Sequence, residues 1–190
     1  MKKIGLLGGT FDPPHYGHLI IANEVLTQCK LDEIWFIPAY VPPHKQKMKV
    51  TSVKHRLNMV KLAIESHPKF RLCTVEIERK GPSYTYDTVK NLQERYPDVT
   101  FYFIIGADMV QDLPNWKNID KLIEMITFIG VNRPGFELES KYRDKIKFVE
   151  IPFIPVSSTF LRERFQQKQT TRYYLPEKVR RYIEENRVYG

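Results

Sequence analysis

Short apolar runs alternate with amphipathic segments along the whole chain. The runs predict buried strands near residues 3–7, 33–38, 70–75, 100–105, 126–131 and 146–150. Between them, apolar positions recur with helical spacing and predict helices near residues 16–29, 52–66, 85–96, 116–124, 158–166 and 176–186. This alternation indicates an α/β fold, in which a doubly wound parallel sheet carries helices on both faces.

The length of the chain suits one domain of this kind. Its 190 residues are 42% hydrophobic and can bury a single core, so we expect one domain over residues 1–190, with a C-terminal helical part at about 157–190. The sequence shows no membrane-spanning run and no signal-peptide core. Cys29 and Cys73 lack C-x-x-C spacing, and we expect buried free thiols in a reducing cytoplasm.

A glycine turn, a helix start and two histidines follow the first predicted strand. Gly8-Gly9 allows a sharp turn and a close approach of the backbone to a ligand. A helix that begins near His15 places His15 and His18 on one face of its first turn, where the free N–H groups and the helix dipole favour an anion. This stretch lacks the third glycine of G-x-G-x-x-G and the G-K-[ST] of a P-loop. The H-x-x-H spacing could also bind zinc, but no third ligand lies nearby in the sequence. The pattern therefore favours a phosphate site.

Two motifs at opposite ends of the chain resemble signatures of the adenylyltransferases in the nucleotidyltransferase α/β-phosphodiesterase superfamily. The H-x-G-H signature is filled by His15, Gly17 and His18, and I-S-S-T-x-x-R resembles residues 156–162, which begin with Val instead of Ile. The combination is similar to bacterial nicotinate-nucleotide adenylyltransferases over nearly the whole chain. The resemblance implies a Rossmann-like fold, a role in NAD biosynthesis, and ATP and nicotinate mononucleotide as substrates.

The resemblance assigns ATP to the glycine turn, the histidine pair, the end of the fourth strand and the helix start after residue 157. The implied ATP-binding residues are Gly8, Gly9, Thr10, Phe11, His15, His18, Gly106, Asp108, Ser157, Ser158, Thr159 and Arg162. The hydroxyl triplet 157–159 would hold the β- and γ-phosphates, with Arg162 one turn further along. Read from the residues alone, the triplet is an ordinary helix N-terminus, and Asp108 is as well suited to cap a short helix.

The second substrate would use a different part of the chain. The implied mononucleotide-binding residues are Thr10, His44, Lys45, Tyr84, Thr85, Asp108, Trp116 and Arg133. N–H groups at the helix start near Thr85 suit a pyridine carboxylate better than a carboxamide, and the indole of Trp116 can stack on the pyridine ring. The ordinary alternatives are a helix cap at Ser83 or Thr85, core packing of Trp116, and solvated loops at Lys45 and Arg133.

The implied reaction is attack of the mononucleotide phosphate on the α-phosphorus of ATP, which gives nicotinate adenine dinucleotide and pyrophosphate. Because the attacking phosphate is already anionic, positioning and charge stabilisation would determine the rate, with His15, His18, Arg162 and Lys45 as catalytic residues. We expect Mg²⁺ to arrive with ATP, because no carboxylate cluster resembles a dedicated metal site. The sequence leaves open a related enzyme that prefers pantetheine phosphate or the amide mononucleotide.

The formal net charge of +8 admits a second class of function, a basic nucleotide-responsive or RNA-binding module without turnover. The basic residues are interspersed with acidic ones, however, and no RNA-binding aromatic signature accompanies them. We therefore expect small polyanionic substrates drawn in by the positive field, and neither nucleic-acid nor membrane partners. The sequence is compatible with a homodimer. Arg56, in a first helical turn where a cation is disfavoured without a nearby anion, is expected to have a structural role.

Overall fold

The computed structural model describes residues 1–41, 49–132 and 140–190 of the chain. Within these ranges the strands are β1 (Lys2–Gly9), β2 (Glu33–Pro38), β3 (Phe70–Leu72), β4 (Val99–Gly106), β5 (Thr127–Asn132) and β6 (Ile146–Glu150). The helices are α1 (Tyr16–Gln28), α2 (Val53–Ile64), α3 (Val75–Arg79), α4 (Thr85–Arg95), α5 (Ala107–Asp112), α6 (Ile119–Met125), α7 (Ser158–Gln166) and α8 (Glu177–Glu185). The α/β alternation predicted from the sequence is confirmed.

All six strands pair in parallel in the order β3-β2-β1-β4-β5-β6. The chain runs outward from β1 to β3, and then crosses back to place β4 on the other side of β1. The strand order therefore reverses between β1 and β4, which is where open parallel sheets bind ligands beyond the carboxyl ends of their strands. Gly9 ends β1 and Gly106 ends β4 at this position.

Two hydrophobic clusters cover the two faces of the sheet. Phe103 and Ile105 of β4 belong to one cluster, whereas Ile104 between them belongs to the other, as expected where alternate strand residues point to opposite faces. Helices α4, α5 and α6 contribute to the Phe103 cluster, and α1, α2, α7 and α8 to the Ile104 cluster. The predicted Rossmann-like sheet with helices on both faces is confirmed, and the C-terminal helices pack on one of its faces.

Several predicted boundaries need correction. The third strand was predicted to reach residue 75, but β3 ends at Leu72 and the short helix α3, with Glu76 and Glu78 in its first turn, follows; acidic residues are stabilising at that end of a helix. The helix predicted from residue 116 begins at Ile119, because Asn118 takes a left-handed conformation with φ of 53° at its N-cap. Helix α3 was not predicted, and α5 was expected only in the alternative in which Asp108 caps a short helix.

Both cysteines are free thiols that lie partly buried. Cys29 ends α1 and Cys73 directly follows β3, so Cys73 lies just beyond the strand to which it was assigned. Burial raises the pKa of both thiols. In the described ranges, no helix combines the length and the apolar character needed to cross a membrane.

Arg56 joins three segments beneath the carboxyl ends of β1 and β2. Its side chain is 1% exposed. Its nitrogens donate to the carbonyl oxygens of Thr51 (2.9 Å), Thr10 (3.1 Å), Ala39 (2.7 Å) and Tyr40 (3.4 Å). Burial lowers the pKa of the guanidinium, whereas the nearby charge of Asp12 raises it. The structural role expected for Arg56 is confirmed.

We expect Arg56→Lys to lower the free energy of unfolding by about 3 kcal/mol, since an ammonium cannot reach carbonyls on three segments and leaves buried acceptors unpaired. Urea unfolding monitored by circular dichroism measures this change. Arg71→Lys is the control, because Arg71 donates to the carbonyls of Pro68 and Phe70 with a side chain that is 51% exposed; we expect a change within about 0.5 kcal/mol. Equal losses in both variants would contradict the assignment.

Candidate active site

His15 and His18 cap α1 through reciprocal hydrogen bonds. The Nδ1 of His15 accepts from the backbone N–H of Gly17 at 3.1 Å, and the Nδ1 of His18 accepts from the backbone N–H of His15 at 3.2 Å. Because a backbone N–H can only donate, both Nδ1 atoms lack a proton, and each neutral ring carries its hydrogen on Nε2. The helix start therefore fixes the tautomer of both rings.

The two rings lie against each other, with centroids 3.8 Å apart and planes 31° apart. His15 is 7% exposed, and its burial lowers the pKa of the imidazole to about 4. At neutral pH the ring is thus uncharged and presents a hydrogen-bond donor. The pair can stabilise an oxyanion by donation without adding a buried charge.

Gly17 and Phe11 hold this pair in place. A Cβ at Gly17 would lie 2.8 Å from Cε1 of His15, closer than side-chain carbons approach, so the spacing of the pair requires glycine between the histidines. The buried ring of Phe11 packs edge-on against His18 at a centroid distance of 5.0 Å and also contacts Phe36. The structure thus places the Phe11 side chain in the core, where it supports His18.

A cavity of about 460 Å³ opens beside the histidine pair. It is lined by His15, Gly17, His18, Ile21, Gly106, Ala107, Asp108, Val131, Ile151, Pro152, Phe153, Ile154 and Val156. The predicted ATP-binding residues at the end of β4 therefore lie with the histidines. The alternative in which Asp108 caps a short helix is wrong. The N-cap of α5 is Gly106, and no side chain makes a capping hydrogen bond there.

The start of α7 docks on the segment that leads to His15. Ser157 is the N-cap, with its Oγ accepting from the N–H of Phe160 at 3.1 Å. The Oγ of Ser158 donates to the Pro13 carbonyl at 2.8 Å. Arg162 donates to the Asp12 carbonyl at 2.9 Å and to Oγ1 of Thr159 at 3.2 Å. The S-S-T-x-x-R motif is thereby brought next to the histidine motif, as the resemblance implied.

A second cavity, of about 200 Å³, lies at the start of α4. Its lining residues are Gly8, Gly9, Thr10, Ala39, Glu76, Ser83, Tyr84, Thr85, Tyr86, Phe103, Ile104, Met109, Asn115, Trp116 and Lys117. Gly8 and Gly9, which were assigned to ATP, and Thr10, which was assigned to both substrates, thus border the cavity that is lined by the predicted mononucleotide residues Tyr84, Thr85 and Trp116.

The start of α4 has no side-chain cap. Its N-cap is Tyr84, which makes no capping hydrogen bond, so the proposal of Ser83 or Thr85 as the N-cap is wrong. Ser83 is buried, and its Oγ accepts from the N–H of Tyr40 at 3.0 Å. The first N–H groups of α4 therefore border the cavity without a side chain that caps them, which suits an anionic group.

Trp116 both packs in the core and lines this cavity. Its ring meets Phe103 and Phe128 edge-on, each at a centroid distance of 6.1 Å. Its Nε1 is buried, and within the described part of the chain it has no hydrogen-bond partner. Beside it, Lys117 forms an ion pair with Asp87 of α4 at 2.8 Å. The two alternatives weighed for Trp116, packing and ligand contact, are compatible in this geometry.

Glu76 of α3 is a lining residue that the sequence analysis missed. Its carboxyl is 6% exposed and accepts from Oγ1 of Thr88 at 2.7 Å. Burial raises the pKa of this carboxyl, although hydrogen bonds from Thr88 and Ser83 partly lower it. The V-E-I-E-R segment gave no usable signal, because a helix this short has too few apolar positions to show a face. His44, Lys45 and Arg133 fall outside the described residues.

Comparison with known proteins agrees with this arrangement. Residues 6–164 match the cytidylyltransferase-like family model. A relative from Bacillus cytotoxicus, described as a probable nicotinate-nucleotide adenylyltransferase, is 58% identical over all of this chain and 99% of its own length. One from Geobacillus thermodenitrificans with the same description is 57% identical over all of this chain and 87% of its length.

Solved structures show the same likeness. The nicotinic acid mononucleotide adenylyltransferase of Plasmodium falciparum in complex with NaAD is 25% identical, with a TM-score of 0.83 over all of this chain and 98% of that one. The fold and the paired motifs define a nucleotidyltransferase of the cytidylyltransferase-like family. Within that family, the chain belongs to the nicotinate-nucleotide adenylyltransferases.

We expect the burial of His15 to make stability depend on pH. Burial lowers the pKa of His15 in the folded state to about 4 from an ordinary 6.5. Between pH 4 and pH 6.5 the unfolded chain therefore binds a proton at His15 that the folded chain does not bind. The stability due to the neutral ring is present above pH 6.5 and is lost as the pH falls towards 4, by about 3 kcal/mol at most.

His15→Asn tests this expectation, because asparagine is a good N-cap but does not titrate. Urea unfolding at pH 7 and at pH 4.5 should show a smaller loss of unfolding free energy in the variant than in the wild type. An identical loss in both proteins would show that His15 does not contribute to the acid sensitivity.

Proposed function

We propose that this chain transfers the adenylyl group of ATP to nicotinate mononucleotide, releasing pyrophosphate and forming nicotinate adenine dinucleotide for NAD biosynthesis in the cytoplasm. The observation that carries the proposal is the neutral histidine pair at the start of α1, whose tilted rings have centroids 3.8 Å apart and lie beside the start of α7. The relatives described above, including a structure with NaAD bound, support the same reaction.

ATP occupies the cavity beside the histidines in this proposal. Apolar lining side chains such as Ile21 and Val156 offer a surface for the adenine ring, and His15 and His18 bind the phosphates. Arg162, which is held next to this cavity by the Asp12 carbonyl, is proposed to bind the phosphates as well. A related Plasmodium structure is described as a complex with APC, is 25% identical to this chain and has a TM-score of 0.82. The first N–H groups of α7 and the hydroxyls of Ser157 and Thr159 complete the phosphate site, whereas the Ser158 hydroxyl donates to the Pro13 carbonyl and fixes the position of this turn.

Nicotinate mononucleotide occupies the cavity at the start of α4. Its pyridine ring lies against Trp116, and its carboxylate accepts from the first N–H groups of α4 near Thr85. A carboxylate is favoured there by the helix dipole, whereas a carboxamide must turn its own donor away. Lys117 compensates the charge of Asp87, so the carboxylate of that aspartate does not repel the ligand. His44, Lys45 and Arg133 are proposed as further contacts to the phosphates and mononucleotide, with Lys45 closing over the triphosphate.

In the reaction, a phosphate oxygen of the mononucleotide forms a bond to the α-phosphorus of ATP, and the bond from that phosphorus to the pyrophosphate oxygen breaks. The nucleophile is already an anion, so no general base is required. The Nε2–H groups of His15 and His18 donate to the phosphate oxygens as charge develops on them, and Arg162 supplies positive charge. Rate enhancement comes from positioning and from these fixed donors.

Mg²⁺ enters as part of the substrate, bound to ATP phosphate oxygens and water. Across residues 1–41, 49–132 and 140–190, no group of three or more His, Cys, Asp or Glu side chains is arranged so that it could hold a metal ion. Mg²⁺ prefers carboxylate and phosphate oxygens and keeps several waters. The metal thus neutralises charge on the triphosphate while the protein holds the phosphates.

Pyrophosphate release from ATP, Mg²⁺ and each of three acceptors tests the proposed substrate. We expect kcat/KM for nicotinate mononucleotide to exceed that for the amide by at least about 10-fold, because only the acid gains a charge-assisted contact at the start of α4. Pantetheine phosphate, which lacks a pyridine ring, should react more slowly still. Faster turnover of the amide or of pantetheine phosphate would reassign the acceptor, and no release with any acceptor would overturn the enzymatic proposal.

We expect His18→Ala to lower kcat by about 100-fold, the effect of losing one preorganised transition-state donor. His67→Ala is the control, because His67 stacks on Phe70 before β3, at the opposite end of the strands from the site, and should leave kcat unchanged. Circular dichroism should show both variants folded. A turnover of His18→Ala close to that of the wild type would remove this histidine from the mechanism.

A further inference from the structure

Tyr189 reaches from the segment after α8 to the loop that precedes the histidine pair. Its hydroxyl donates to Oδ1 of Asp12 at 2.7 Å. Burial, together with the nearby charge of Asp12, raises the pKa of the phenol far above its ordinary value, so the hydroxyl is a permanent donor. The segment itself is held by the N–H of Val188, which bonds the carbonyl of Ile183.

Asp12 also contacts two segments besides that of the tyrosine. The aspartate is 4% exposed. Its Oδ2 accepts from the N–H of Thr51, just before α2, at 3.1 Å. Its backbone carbonyl accepts from Arg162 of α7 at 2.9 Å. The two side-chain bonds fix the position of Asp12, and a shift of its backbone would move the carbonyl oxygen that holds the guanidinium of the proposed phosphate site.

The same segment leads directly into the cap of α1. Pro13 follows Asp12 and accepts from the hydroxyl of Ser158, and His15 comes two residues later. The orientation of Asp12 thus bears on both sides of the phosphate site, namely the histidine pair and the first turn of α7. A carboxylate this deeply buried keeps a single orientation only when donors hold both of its oxygens.

We infer that Tyr189 is a positioning residue for adenylyl transfer, acting through Asp12 on Arg162 and the histidine pair. This inference rests on the proposed function. Tyr189 does not line either cavity described above, so it acts without touching the substrates. Its hydroxyl, rather than its ring, carries the effect, because the ring has a separate packing partner in Phe165 at a centroid distance of 5.7 Å.

Tyr189→Phe removes the hydroxyl and keeps the ring contact. We expect kcat to fall by about 10-fold, since a small misplacement of groups that bind the transition state is costly even when it originates far from the chemistry. KM for nicotinate mononucleotide should change less than about twofold, because Trp116 and the start of α4 make no contact with Asp12. A kcat within twofold of the wild type would overturn the inference.

Tyr182→Phe is a matched control. The hydroxyl of Tyr182 in α8 contacts Nδ1 of His55 at 2.9 Å and accepts from Nδ2 of Asn58 at 3.0 Å, so it also links the C-terminal region to α2, without reaching Asp12. Both variants should lose stability to a similar extent, but Tyr182→Phe should retain the wild-type kcat. Assays run at least about 10 °C below the lowest melting temperature separate stability from turnover. Equal losses of kcat in both variants would indicate a purely structural role.

A double-mutant cycle with Asp12→Ala, which removes the acceptor of the Tyr189 hydroxyl, tests the path of the effect. If the hydroxyl acts through Asp12, Tyr189→Phe should lower kcat by less than about threefold in the Asp12→Ala background, compared with about 10-fold in the wild type. Independent effects that multiply would show that Tyr189 acts by another route and would overturn the inference.

The wild type assayed alongside separates this inference from the proposed function. Turnover by the wild type together with an equally active Tyr189→Phe refutes only the positioning role. Absence of turnover in the wild type refutes the proposed function, and the affinity for a non-hydrolysable ATP analogue then tests the positioning of the phosphate site. We expect that affinity, measured by titration calorimetry, to be at least about threefold weaker in Tyr189→Phe; equal affinities would overturn the inference.

Discussion

The reciprocal hydrogen bonds at the start of α1 determine what the rest of the site can do. They occupy Nδ1 of His15 and of His18 with backbone N–H groups, so the only donor that each ring retains is its Nε2–H. The close approach of the rings then requires glycine at position 17 and burial against Phe11. A helix cap, which in most proteins satisfies only the backbone, here also fixes the tautomer of two candidate catalytic groups.

Elements distant in sequence hold this cap next to the proposed phosphate site at the start of α7. Arg56 of α2 donates to backbone carbonyls in the segments that follow β1 and β2. Asp12, in the segment after β1, bonds Arg162 and Tyr189. Each contact pairs a buried charged or polar group with a partner on another segment, and such groups are costly to leave unpaired. The geometry of the site therefore depends on the tertiary fold rather than on the motif alone.

Local signals in the sequence predicted the first strand, the helix start at His15 and the cap at Ser157, because these depend on residues close together in the chain. The resemblance carried by the H-x-G-H and S-S-T-x-x-R motifs also predicted that the starts of α1 and α7 lie in one site. By contrast, the burial of Glu76 and the contact of Tyr189 with Asp12 involve partners far apart in sequence, and no local pattern encodes them. The proposed cap at Ser83 or Thr85 failed for a similar reason, since the Ser83 hydroxyl is engaged by the N–H of Tyr40.

A neutral pair of donors suits the charge changes that adenylyl transfer requires. Negative charge moves from the attacking phosphate onto the pyrophosphate, and the total charge of the reacting groups stays the same. Fixed dipoles such as the Nε2–H groups stabilise the redistribution without holding an anionic product as a buried cation would. In the proposed reaction, positive charge comes instead from the partly exposed Arg162 and from the Mg²⁺ proposed to accompany ATP. The burial that lowers the pKa of His15 is consistent with the proposed role of this ring, because it would keep the ring a donor of constant charge while pyrophosphate leaves.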